Sequence, residues 1–235
     1  MPPLTNIVAD AGSQGLPWTS IAMRATECVL IFIIAPIVLT LLMKKVSPLP
    51  VLGVVTLMML LILARDSAFD RGVVFNTVDF TNHLMKIAML FVPIGGLLAG
   101  FLYWYRPDAM FRFPIERPGI WLIVMLLYPL FSVIPQTIIY RAFFFHRYEV
   151  LFGTSATMII AAGVAFGLGH IIFKNPIALV LTLGGGLLFA WRYQTTKSLL
   201  VCAIEHAIYG QLLFTLGYGL FLYHGAADDR VLHAK

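Results

Sequence analysis

The run IPQTIIYRAFFFHRY, residues 134–148, sets an arginine in apolar sequence with a glutamine and a threonine one turn before it. Charge in hydrocarbon is expensive, so a residue of this kind has a job by default. The rest of the chain says that hydrocarbon is its surroundings. Of 235 residues, 60% are hydrophobic and only 11% are charged, and the mean hydropathy is +0.90. A soluble globular domain carries about a quarter charged residues. The composition predicts an all-α polytopic membrane bundle. A spanning helix takes about 20 apolar residues, so about seven or eight transmembrane helices fit. They form a single membrane-integral domain over residues 1–235, with no room for a separate soluble one.

Eight apolar runs follow from the sequence: 28–43, 46–64, 84–105, 118–133, 134–150, 155–173, 176–191 and 198–223. Lys44 and Lys45 close the first, Arg65 and Asp66 the second, and Tyr103, Trp104 and Tyr105 end the third with rings suited to headgroup depth. Residues 66–83 are the longest polar interruption and read as a surface loop. The first twenty residues have neither a basic start nor an apolar core, so they are not a cleavable signal. Cys28 and Cys202 both fall in apolar runs and read as small packing residues.

The net charge of +5 belongs to loops that set orientation, not to nucleic-acid binding. No basic stripe interleaved with aromatics, no Gly-rich phosphate loop and no CxxC is present. Lys44, Lys45, Arg106, Arg112 and Arg117 share one side, which places that side in the cytoplasm and the N-terminus outside. Arg141, Arg147, Arg192 and Lys197 fall on the other side and blur the bias. The short loops suit a bacterial inner membrane. Gly96 with Gly100, Gly163 with Gly167, and the triplet Gly184-Gly185-Gly186 allow close helix approach. The first pair and the triplet read as packing. The second shares a helical face with His170.

Strongly polar residues deep in these runs are few: Arg141, His170, Glu205 and His206, with Gln136 and Thr137 beside the arginine. With no water to pair with, they should face the interior and find one another. Taken singly, each has a structural explanation: a histidine as a helix clamp, Glu205 as the counter-charge of Arg141. Together, in a chain so short of polar groups, they predict a functional centre built from three segments. Two imidazoles, at His170 and His206, suit either a divalent metal such as zinc or a histidine-activated water. A catalytic zinc usually has three protein ligands, which makes two histidines a poor zinc site.

QTIIYR, then FGLGH at residues 166–170, then EHAIYG at residues 205–210, resemble in this order the three motifs of the CPBP family. These are the CAAX-protease and bacteriocin-processing, or Abi-type, intramembrane proteases, with the pattern EExxxR, FxxxH, and a second histidine followed four residues later by asparagine or a substitute. The resemblance covers roughly residues 118–215. It implies that Arg141 organises the site, that Phe166 packs it, that His170 activates water or binds metal, and that His206 stabilises the oxyanion. It also exposes a departure. Gln136 and Thr137 stand where the family has glutamates, and Gly210 stands where asparagine is usual. A glutamine cannot take a proton from water.

Three explanations stay open. The chain is a pseudoprotease that binds a membrane peptide or partner, as an immunity protein would; or it is an inactivated form of an active enzyme; or Glu205 supplies the missing carboxylate. The last is weakened because Glu205 and His206, being adjacent, point about 100° apart on a helix. The expected activity is endopeptidase hydrolysis of peptide bonds in membrane-associated substrates, with the lipid bilayer as the other partner. No inverted repeat of hydropathy supports a secondary transporter. Depth adds a requirement: Pro129 and Pro135 must kink the chain, or residues 134–150 must start a new helix, for position 136 to meet His206.

Overall fold

The computed structural model of the chain describes residues 18–42 and 48–222. The N-terminal stretch judged not to be a signal, up to residue 17, and the Lys44-Lys45 pair lie outside the described residues. The described chain is all-α. Seven apolar helices follow one another: α1 (Ser20–Leu42), α2 (Leu49–Arg65), α3 (Phe80–Tyr105), α4 (Pro118–Phe152), α5 (Ala156–Gly169), α6 (Pro176–Thr196) and α7 (Leu199–Leu216). All but the 17-residue α2 are long and apolar enough to cross a membrane, with α5 carried on by a one-turn 3₁₀ segment to Phe173.

The eight apolar runs thus become seven helices, because runs 118–133 and 134–150 are one continuous helix. The physical reason lies in its prolines. Proline lacks an N–H and crowds the carbonyl four residues back. Here Pro129 opens a π-helical turn over Pro129–Val133, and a second π turn, Ile138–Phe143, follows Pro135 by three residues. Widened turns carry α4 past both prolines without a break. At ~1.5 Å per residue, the stretch from Pro118 to Arg147, before the chain kinks at Tyr148, reaches about 45 Å, well beyond a ~30 Å hydrocarbon core. The overhang ends in polar side chains. Arg147 grips Glu27 of α1 through two bonds of 2.9 and 2.8 Å, Tyr148 donates to the same carboxylate, and His146 meets Asp66 at 2.9 Å.

The next three helices start at side-chain caps. Ser155 accepts from Thr157 N–H, Asn175 from Ile177 and Ala178 N–H, and Ser198 from Val201 N–H, each satisfying amides that a helix start leaves unpaired. The surface loop expected over 66–83 ends earlier, because residues 80–83 form the first turn of α3, and the remaining stretch is tied down from the far end of α6: Asn76 Nδ2 donates to Thr196 O, and Ser198 Oγ donates to Asn76 O at 2.6 Å. α4, α5, α6 and α7 enclose the buried centre, while α1 and α3 show mostly lipid-facing surface.

The closest seam joins α5 to α6. A Cβ at Gly163 would run into Leu187, one at Gly167 would strike Leu183, and one at Gly186 would meet the Gly163 carbonyl at 2.7 Å and Phe166 Cβ at 3.1 Å. Gly96 and Gly100 behave otherwise. No described atom lies within 4 Å of where their Cβ atoms would stand, so this pair makes no close helix contact among the described residues, contrary to the packing read from its spacing. Cys202 is buried and donates to Phe189 O, as a packing thiol would.

Candidate functional site

Phe166 is the hub of the buried centre. Its ring lies 4.6 Å from the His170 ring, 5.4 Å from that of His206 and 5.2 Å from that of Tyr140, with the Arg141 guanidinium 5.4 Å from its centroid. Residues from α4, α5 and α7 therefore meet around one phenylalanine, as the sequence requires of its three polar segments.

His170 ends α5. Its backbone N–H reaches back to the Gly167 carbonyl, so the Phe166 carbonyl loses its usual helical partner. The His170 ring supplies the replacement: Nδ1 sits 2.7 Å from Phe166 O. A carbonyl only accepts, so Nδ1 carries the hydrogen and Nε2 is left with its lone pair. The helix end thus fixes the tautomer of a free imidazole base.

His206 is buried and lies flat against Phe189 of α6, rings 4.6 Å apart and 24° from parallel. On its other side Nε2 comes within 3.5 Å of Tyr128 Oη. Tyr128 in turn occupies the space beside Gly210. A Cβ there would overlap the tyrosine hydroxyl and ring. Glycine at 210 is thus a steric necessity of a tyrosine at 128.

Arg141 is 2% exposed. Nη1 donates to its neighbour's carbonyl, Tyr140 O, and Nη2 crosses to Gly186 O at 3.1 Å. Nε makes no hydrogen bond, and no carboxylate among the described residues lies in ion-pair reach. One turn earlier, Gln136 donates to Ser132 Oγ at 2.7 Å, while its Oε1 and the Thr137 hydroxyl are buried without a partner. Three orphaned polar atoms in six residues are unusual, because buried polar groups are nearly always paired.

Glu205 does not join this group. Arg192 of α6 holds it through two bonds of 2.7 and 2.8 Å, with both side chains essentially inaccessible. The carboxylate is neither the partner of Arg141 nor free to act as a base. Arg192, assigned to a loop from the sequence, is instead a buried residue near the end of α6, packed over Trp191 at 5.0 Å. Arg192 stands just past the apolar run 176–191, so its position offered no signal for this pairing. Tyr128 and Phe189 gave none, since aromatics in an apolar run read as filler.

The charge count follows. Among the described residues the buried ionic side chains are Arg141, Arg192 and Glu205: two cations and one anion. As for metal, no group of three His, Cys, Asp or Glu side chains converges among the described residues. His170 and His206 alone fall short of the donor set that catalytic zinc uses.

Residues 118–212 match the family model of the type II CAAX prenyl endopeptidases, Rce1-like. The match opens at the first residue of α4 and takes in Arg141, His170 and His206. No curated protein and no solved structure matches the chain.

Proposed function

We propose, from the match of residues 118–212 to the Rce1-like family model, that the chain is of the CPBP/CAAX protease type and that its buried centre is a peptide-hydrolysing site lacking both motif carboxylates. The reading rests on His170, whose Nδ1–H is tied to the Phe166 carbonyl and whose Nε2 is thereby a standing base. In this reaction Nε2 takes a proton from water as the water oxygen bonds to the scissile carbonyl carbon. The carbonyl oxygen becomes an oxyanion facing His206. The C–N bond then breaks, and the proton on His170 passes to the departing amine. Substrates are membrane-associated peptides or proteins, in keeping with a centre that lies within a bundle of apolar helices.

The family's two glutamates would orient water and offset Arg141. Gln136 and Thr137 do neither, and their orphaned oxygens mark the vacated role. Turnover in this form is accordingly slow. Thr137→Glu should raise cleavage of a hydrophobic membrane peptide by at least tenfold, Gln136→Glu by less, and His170→Ala should abolish the gain. Equal, zero activity in all of them would overturn the hydrolytic reading. It would favour a second one, a peptide- or partner-binding protein on the same scaffold, which the surplus buried cation supports.

A further inference from the structure

The contact between Tyr128 and His206 is the feature that the reading above leaves without a task. Tyr128 Oη fills the position that a side chain at 210 would take, and it stands 3.5 Å from His206 Nε2. That separation is at the outer limit of a hydrogen bond, so neither group saturates the other. Two donors that share one oxygen at ~2.8 Å each lie ~3.5–4.5 Å apart. The tyrosine ring also meets Phe214 of the same α7 face edge-on, 5.2 Å away and 74° from parallel, which helps to hold the hydroxyl beside His206. The next turn of α4 is fixed as well, by Gln211 Nε2 donating to Met125 O at 2.7 Å.

We infer that Tyr128 is a catalytic residue: its hydroxyl and His206 together form the donor pair for the oxyanion. The inference rests on the hydrolytic reading of the site, and it adds a residue outside the three motifs. It also explains why position 210 is free to be glycine. The polar group is delivered there by α4 instead of by α7.

The test uses the full chain in detergent and two hydrophobic peptide probes of one sequence, an aldehyde and the matching alcohol. The aldehyde hydrate carries the tetrahedral oxygens and the alcohol does not. Tyr128→Phe keeps the ring beside Gly210 and removes only the hydroxyl. It should weaken aldehyde binding by about a hundredfold, leave alcohol binding unchanged, and in the Thr137→Glu background lower kcat by a similar factor with KM constant. The double variant Tyr128→Ala/Gly210→Asn, in which α7 supplies the polar group, should recover part of the loss relative to Tyr128→Ala. Equal aldehyde binding by wild type and Tyr128→Phe overturns the inference, as does an aldehyde that binds no more tightly than the alcohol. If Thr137→Glu shows no turnover while Tyr128→Phe still weakens the aldehyde selectively, the donor pair stands and the hydrolytic reading of His170 fails.

Discussion

Arg192 and Glu205 carry opposite charges in the driest part of the molecule, and their value lies in being together. Removing two ions from water costs several kcal/mol each, which a bidentate pair at 2.7 and 2.8 Å offsets. Breaking it from one side leaves a bare charge. Glu205→Gln should therefore lower stability by about 3–5 kcal/mol, whereas Arg192→Met/Glu205→Met should recover most of that loss, read as denaturation midpoints in one detergent. A double variant as unstable as the single one would count against the ion pair as the cause. Arg141 is in the opposite position, since it has no acid to lose. The motif residues were legible in the sequence because a polar side chain in an apolar run is conspicuous. Which acid neutralises which arginine was not, because thirteen residues and a helix turnaround separate Arg192 from Glu205, and only packing brings them face to face.

Helix positions were legible from hydropathy, and the path of α4 was not. Hydropathy registers that 118–133 and 134–150 are both apolar. It does not register whether Pro129 and Pro135 break the helix or widen its turns, which depends on whether neighbours hold the chain through the proline. Glycine spacing misleads in the same way: Gly96/Gly100 and Gly163/Gly167 have identical spacing, yet only the second meets another helix. The two should separate experimentally. Gly186→Ala would press a methyl group on the Gly163 carbonyl and move the acceptor of Arg141 Nη2, at a cost of about 1–3 kcal/mol. Gly96→Ala and Gly100→Ala should be neutral or stabilising by up to ~1 kcal/mol, because helix propensity alone is at stake. Matching losses at all three positions would refute the difference in contact.

At the scale of the whole molecule, one end of the bundle is fastened by charge where α1, α2 and α4 meet. Glu27 holds Arg147 and Tyr148, and Asp66 holds His146, with the Phe69 ring 5.3 Å from the imidazole. The His146 hydrogen bond keeps the Asp66 carboxyl below its ordinary value, helped by the Ala68 N–H. A depressed carboxyl stabilises the fold above its unfolded pKa of about 3.9 and loses that contribution as pH falls through the lower, folded value. The melting difference between wild type and Asp66→Asn should thus be present at pH 7 and shrink below pH ~4. A difference that persists at pH 2 would remove Asp66 ionisation as its source.

The seam between α5 and α6 has a consequence for how this protein can change over generations. Leu187 already fills the space that a side chain at 163 would need, and Leu183 does the same for 167. A larger residue at 167 needs the Leu183 side chain to shrink or move first, and one at 163 needs Leu187 to give way together with the α6 backbone, whose Leu187 N would stand 3.0 Å away. Substitutions across the seam are therefore admissible in one order and barred in the reverse, and a lineage carrying a side chain at 163 or 167 must have passed first through a loosened α6.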